Sequence, residues 1–205
     1  LIGPRSILTA AHCPIGSSST LVIMGAHNRL IIEPEQARQT VPAANYRLHA
    51  GYSSATLAND IAILIAPTTW TLTANIARIA LPGNIAEQFA GFRGTSTGWG
   101  RTTNGGTTSA VMRRAVNNII TNAVCAATYG TAVVNAAVIC IETNVSNQGT
   151  CHGDSGGVLS VEFNSNLIQV GVTSFVASAG CVAGFPSGFE RTTSHDAWIN
   201  ERINE

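Results

Sequence analysis

Lysine is missing from this chain; its eleven basic side chains are all arginine. That absence removes the P-loop, the Schiff-base lysine and the Ser-Lys dyad from consideration. Charge of either sign is scarce, at 11% of the 205 residues, and the formal net charge is zero. No basic block exceeds Arg113-Arg114, so neither a nucleic-acid nor a membrane partner is expected. Long apolar runs are also lacking: a stretch such as Ile61–Ala66 stops far short of the roughly 18 residues of a membrane span. The chain opens on Leu1-Ile2-Gly3-Pro4 with no Met, basic n-region or signal-like apolar stretch, which reads as the middle of a domain and predicts a partial sequence. What is abundant is apolar material, 45% of residues, enough to bury a core and to exclude disorder.

Short apolar or alternating runs recur at Leu21–Met24, Ile61–Ile65, Thr95–Trp99, Val138–Ile141, Val158–Phe163 and Leu167–Phe175. Turn-forming clusters such as Pro82-Gly83-Asn84 and Asn104-Gly105-Gly106 separate them, a pattern that predicts an all-β fold of barrels or a sandwich. Between Ser109 and Thr128 the β-branched content of Val116–Ile120 favours a strand followed by a short helix. Helical spacing of Trp198, Ile199, Arg202 and Ile203 predicts a C-terminal helix capped by Ser194 or His195. The mildest composition break falls near Leu81–Gly94.

Candidate chemistry centres on Gly153-Asp154-Ser155-Gly156-Gly157. Flanking glycines permit a sharp bend and close substrate approach, so Ser155 is set as a nucleophile if a base is at hand. Such a base needs an acceptor that fixes its tautomer. Only three aspartates exist, Asp60, Asp154 and Asp196, and Asp60 opens an apolar strand. Among five histidines, His12 stands out in Thr9-Ala10-Ala11-His12-Cys13, where small neighbours leave room around the ring.

These three motifs, in this order and joined by Ser96-Thr97-Gly98-Trp99-Gly100, Val172-Thr173-Ser174-Phe175 and Trp198-Ile199, resemble the chymotrypsin family of serine endopeptidases over the whole chain, nearest to its arthropod chymotrypsin-like, elastase-like and collagenolytic branch. The resemblance implies two six-stranded antiparallel Greek-key barrels, the first incomplete here, with a C-terminal helix. Residues 1–80 would form the first barrel with His12 and Asp60, and residues 81–205 the second with Ser155. It further implies His12 as general base, Asp60 as its orienting carboxylate, Ser155 as nucleophile, and the amides of Gly153 and Ser155 as oxyanion hole. A non-catalytic binding homologue is the alternative, against which the complete set of His12, Asp60 and Ser155 argues. Glu190 and His195 follow Ser155 in the order of an α/β-hydrolase triad, but no strand-helix alternation surrounds them.

Cysteine number and an oxidising compartment go together here, with one of five sulfurs left over; the sequence alone leaves the pairing open. The resemblance implies Cys125–Cys140 and Cys151–Cys181, with Cys13 unpaired, in a secreted, monomeric zymogen-derived enzyme that acts on proteins and peptides and meets protein inhibitors. It places Gly149, Ser174, Val176 and Ser187 at the substrate pocket, and has Ser174 hydrogen-bond Asp60 in a supporting role. With no acid among them, and with branched Val176 narrowing the entrance, cleavage after small to medium apolar residues is expected. Asp154 is implied as the partner of an activating N-terminal ammonium, and without that partner it is expected to turn away. No cofactor or metal is expected: the histidines lack ligand spacing, and Glu33 and Glu35 are too few for calcium. Of the remaining histidines, His27 and His49 read as exposed turn residues, His152 as a loop or pocket-rim residue, and His195 with Asp196 as a helix start.

Overall fold

A computed structural model describes residues 1–145 and 148–205. Eleven strands alternate with turns: β1 (Ser6–Thr9), β2 (Ser19–Met24), β3 (Ala37–Pro42), β4 (Tyr46–Leu48), β5 (Ala62–Ile65), β6 (Arg93–Gly98), β7 (Arg113–Ile120), β8 (Val138–Ile141), β9 (Val158–Phe163), β10 (Asn166–Phe175) and β11 (Ser187–Arg191). Two α-helices complete the described residues, α1 (Asn122–Tyr129) after β7 and α2 (Asp196–Arg202) at the end. All six strands anticipated from apolar runs are present. β1, β3, β4 and β11 had no such run to announce them, because arginine, glutamine, serine or glycine interrupts their apolar residues.

The last six strands close into an antiparallel barrel in the order β10-β11-β8-β7-β6-β9. Its interior is filled by Phe89, Ile119, Ile139, Ile141, Leu159, Val161, Ile168, Val170 and Phe189. Gly171 sits where β10 crosses this core; a Cβ there would stand 3.0 Å from that of Phe189 and 3.2 Å from that of Leu159, so no side chain fits. The first part of the chain forms two sheets, β1-β5-β4 and β2-β3, rather than a closed barrel. β5 lies centrally and is buried throughout. Its alternation sends Ile63 and Ile65 into one cluster with Leu8, Val172 and Ile199, and Leu64 into another with Val22, Val41 and Trp70. The first of these clusters joins β1 and β5 to β10 and to α2, so it welds the two parts of the molecule together.

Cys125 is bonded to Cys140 and Cys151 to Cys181, while Cys13 is free and exposed. The first bridge closes a separation of 15 residues, worth about 3 kcal/mol in the chain-entropy account. Thr121 caps α1, its hydroxyl accepting from Val124 N. The expected cap of α2 is absent: His195 at the N-cap makes no side-chain cap bond, and Ser194 donates to Ala136 O. The imidazole of His195 is instead buried against Glu190, Nε2 to Oε1 at 2.6 Å. His49 is likewise no free turn residue, since its ring packs edge-on against His195 at 5.2 Å and tilted against Trp198 at 5.3 Å.

Candidate active site

His12 follows β1 in a turn, and Asp60 lies two residues before β5, the strand paired with β1. Strand pairing therefore brings together residues 48 apart in sequence. Nδ1 of His12 lies 2.7 Å from Asp60 Oδ2, and the His12 amide donates to Oδ1 at 2.9 Å. Asp60 is fully buried and can only accept, so the proton of the neutral ring resides on Nδ1 and Nε2 keeps its lone pair. The same carboxylate, helped by the Cys13 side chain, raises the His12 pKa above its ordinary value, against an opposing effect of burial.

A third bond reaches Asp60 from the other part of the molecule: Ser174 Oγ donates to Oδ2 at 2.6 Å. The cause is a bulge. On β10, Thr173 pairs with Phe189 and Phe175 with Gly188, which leaves Ser174 as the extra residue, and bulges re-aim side chains. Ser174 thus makes the contact with the carboxylate that the resemblance implies for it.

Ser155 is exposed at the turn before β9. Its neighbour Gly156 has φ +75, and a Cβ there would stand 2.2 Å from Thr9 Oγ1 and 3.1 Å from Cys13 Sγ. Only glycine lets the serine turn lie this close to the histidine turn. Among the described residues the Ser155 hydroxyl has no hydrogen-bond partner, a common state for a nucleophile without substrate. At Gly153, φ +98, a Cβ would stand 2.8 Å from the Thr108 methyl group and 3.2 Å from Gly100 Cα.

Asp154 is held by backbone amides. Its carboxylate accepts from Gly100 N at 2.7 Å and from Cys151 N at 2.9 Å, facing a cavity of about 390 Å³ that Arg101, Arg113, Met112 and Gly149 also line. Side chains at positions 98 and 100 would collide with it, which explains the two glycines that flank Trp99. Burial raises the Asp154 pKa, while the two amides act in the opposite direction; among the described residues it forms no ion pair.

Of the proposed pocket residues, Gly149 and Ser187 do meet. A side chain at 149 would stand 2.7 Å from the Thr143 methyl and 3.0 Å from Ser187 Oγ, and Thr150 N donates to that hydroxyl at 3.3 Å. Val176 lines an apolar surface groove with Leu57, Tyr129, Phe175 and Phe185. Sequence reasoning missed Thr143, Leu57, Tyr129 and Phe185. Leu57 sits at φ +57, which nothing local to an aliphatic residue signals, whereas Tyr129 is held edge-on to Phe175 at 5.2 Å only because α1 packs beside β8. His27 and His152 are exposed. Glu33 and Glu35 are occupied within the fold, Glu33 by the amides of His27 and Asn28 and Glu35 by Asn75. His195 and Glu190 bond each other, but in an antiparallel barrel without the parallel sheet that their order after Ser155 would need.

Comparison with known proteins agrees with this arrangement. The family model described as Trypsin matches residues 1–199. Brachyurin of Leptuca pugilator is 42% identical over 200 residues, covering 97% of this chain and 84% of that protein. The collagenase of Hypoderma lineatum is 32% identical over 98% of this chain and 74% of its own length. The solved structure of HL collagenase superimposes with a TM-score of 0.87 at 32% identity, over 98% of this chain and 83% of that one.

Proposed function

Because this chain belongs to the trypsin family of serine endopeptidases, we propose that His12, Asp60 and Ser155 are its catalytic residues. The observation that carries the assignment is the His12 ring, held by a buried carboxylate through Nδ1 with Nε2 left as a base, on a turn that the Ser155 turn approaches closely at Gly156. Ser155 Oγ adds to the scissile carbonyl carbon as its proton passes to His12 Nε2. Charge develops on the carbonyl oxygen, where the amides of Gly153 and Ser155 receive it. Collapse breaks the C–N bond, and His12 returns the proton to the leaving amine. Water, deprotonated by His12, then cleaves the acyl-enzyme, releasing the acid and restoring Ser155. Substitution Ser155→Ala should lower kcat by roughly 10⁶-fold and abolish labelling by a fluorophosphonate; peptidase activity left intact in that variant would refute the assignment.

Cleavage after small to medium apolar residues is supported by the uncharged contact between Gly149, Thr143 and Ser187 and by Val176 at the groove. Profiling with a peptide library tests it, and a dominant preference for arginine or lysine would overturn it. A relative named collagenase makes gelatin the first protein substrate to assay. Asp154, half-buried and, among the described residues, without an ion pair, suits an incoming ammonium group. In this reading the cavity beside it receives the activating terminus, and an Ile-Val dipeptide added to the chain should raise activity if that terminus is lacking. Residues 1–80 and 81–205 are taken as the two folding units, each contributing one side of the site, and secretion is consistent with the two disulfides.

A further inference from the structure

Gly153 supplies one of the two amides that the proposed mechanism aims at the oxyanion, so whatever fixes its peptide plane controls the rate. Its peptide plane includes the His152 carbonyl, which accepts from Arg101 N at 3.0 Å, and Arg101 is bridged to Thr108. Against the same point, where a Cβ on Gly153 would be, stand Thr108 Cγ2 at 2.8 Å and Gly100 Cα at 3.2 Å. Thr108 closes the loop between β6 and β7, Thr102-Thr103-Asn104-Gly105-Gly106-Thr107, a composition that fixes little by itself.

We propose that Arg29, from the distant loop between β2 and β3, is the positioning residue for this side of the oxyanion loop, acting through Thr108. The proposal rests on Gly153 being an oxyanion donor. The Arg29 guanidinium donates to Ser109 O at 2.8 Å, to Thr108 O at 3.4 Å and to Thr108 Oγ1. Threonine is branched at Cβ, so a bond that fixes Oγ1 also fixes the direction of Cγ2; the guanidinium thereby aims the methyl group at Gly153. Arginine suits the task because its planar fork can serve three acceptors at once. The anchor is itself secured. Arg29 N donates to Ala110 O at 2.9 Å and Met112 N to His27 O at 2.8 Å, Asn28 bridges to Val111, and Trp99 Nε1 donates to His27 O at 2.9 Å. Glu33 closes the loop by accepting from the His27 and Asn28 amides at 2.6 and 3.0 Å. Arg29 touches no reacting atom, and its effect is on the geometry of the donor.

The test uses the activated full-length enzyme and four variants, Arg29→Gln, Arg29→Lys, Thr108→Val and the double Arg29→Gln/Thr108→Val. Rates are expressed per active site titrated by burst, alongside KM, thermal midpoint and inhibition by a peptide aldehyde whose hemiacetal oxygen occupies the oxyanion position. Loss of the donor itself costs about 10²–10³ in kcat, and loosening it should cost less: about tenfold for Arg29→Gln and for Thr108→Val, with KM within about twofold. Aldehyde affinity should fall by a similar factor, Arg29→Lys should recover part of both, and the double variant should lose no more than either single one. An unchanged kcat per titrated site, with any loss confined to thermal midpoint or active fraction, overturns the proposal, and so does a loss seen only in KM. Ser155→Ala in the same assay separates the two levels: if it stays active the mechanism falls and this inference with it, whereas an inactive Ser155→Ala beside an unaffected Arg29→Gln overturns the inference alone.

Discussion

Ser174 Oγ stands 2.6 Å from Asp60 Oδ2, so a residue of the closed barrel completes the hydrogen bonding of a carboxylate carried by the other part of the molecule. With the two bonds from His12, three donors hold Asp60, and all of its negative charge is used at one point of the interface. Removing one donor leaves a buried charge undersatisfied. Ser174→Ala should therefore cost about 1.5–3 kcal/mol of stability, readable as a lower urea midpoint with unchanged slope, together with a loss of several-fold in kcat. A midpoint equal to that of the parent would show that the bond contributes nothing.

Neutralising the carboxylate goes further. Asp60→Asn should reduce kcat by about 10³–10⁴-fold, since the imidazole loses the acceptor that fixes its tautomer. Asp60 raises the His12 pKa, so the alkaline-going limb of kcat/KM, which reports loss of the imidazolium proton, should move to lower pH in the variant. The stability linked to the pair follows the same sign. It is complete below the imidazole's ordinary 6.5 and is lost as pH climbs through the raised value. A limb at the same pH in both proteins would contradict the assignment of His12.

The pair of Glu190 and His195 makes a separate prediction. Both side chains are buried, with Nε2 and Oε1 2.6 Å apart, and they tie β11 to the start of α2. Glu190→Ala strands His195 without its partner and should cost about 3–5 kcal/mol, whereas replacing both by apolar residues, as in Glu190→Leu with His195→Phe, should restore most of it. Equal stability of the single and double variants in urea titration would show that the pair is not coupled.

His49 reports on pH at the same junction. Burial lowers its pKa first, and the nearby His195 and Arg202 lower it further; Arg202 also lies over Trp198 at 4.9 Å. A depressed histidine pKa means that the unfolded chain takes up the proton more readily. Its contribution is present above pH 6.5 and fades as pH falls from there toward the lowered folded value. His49→Gln should flatten the fall of thermal midpoint in that window, and a curve parallel to the parent's would exclude the effect.

Much of this molecule is written locally. The apolar runs of β2, β5, β6, β8, β9 and β10 appear where their alternation or continuity puts them, and α1 begins at Thr121, a residue suited to capping. β11 escapes because its sequence, Ser-Gly-Phe-Glu-Arg, looks like a turn with charges; it is buried along its whole length only because His195, Asn122 and backbone carbonyls receive Glu190 and Arg191. His49 looked like a turn residue because its ring partners, His195 and Trp198, lie far along the chain.

The sequence by itself pointed to the candidate chemistry, since His12, Asp60 and Ser155 sit in short motifs whose joint order resembles that of the chymotrypsin family. Tertiary structure decided how those motifs act together. Strand pairing of β1 with β5 sets His12 against Asp60, the bulge in β10 releases Ser174 toward the same carboxylate, and a bond across 79 residues lets Arg29 orient Thr108. Such contacts depend on strand order and register, which arise from packing the whole core and leave no periodic trace in any one segment.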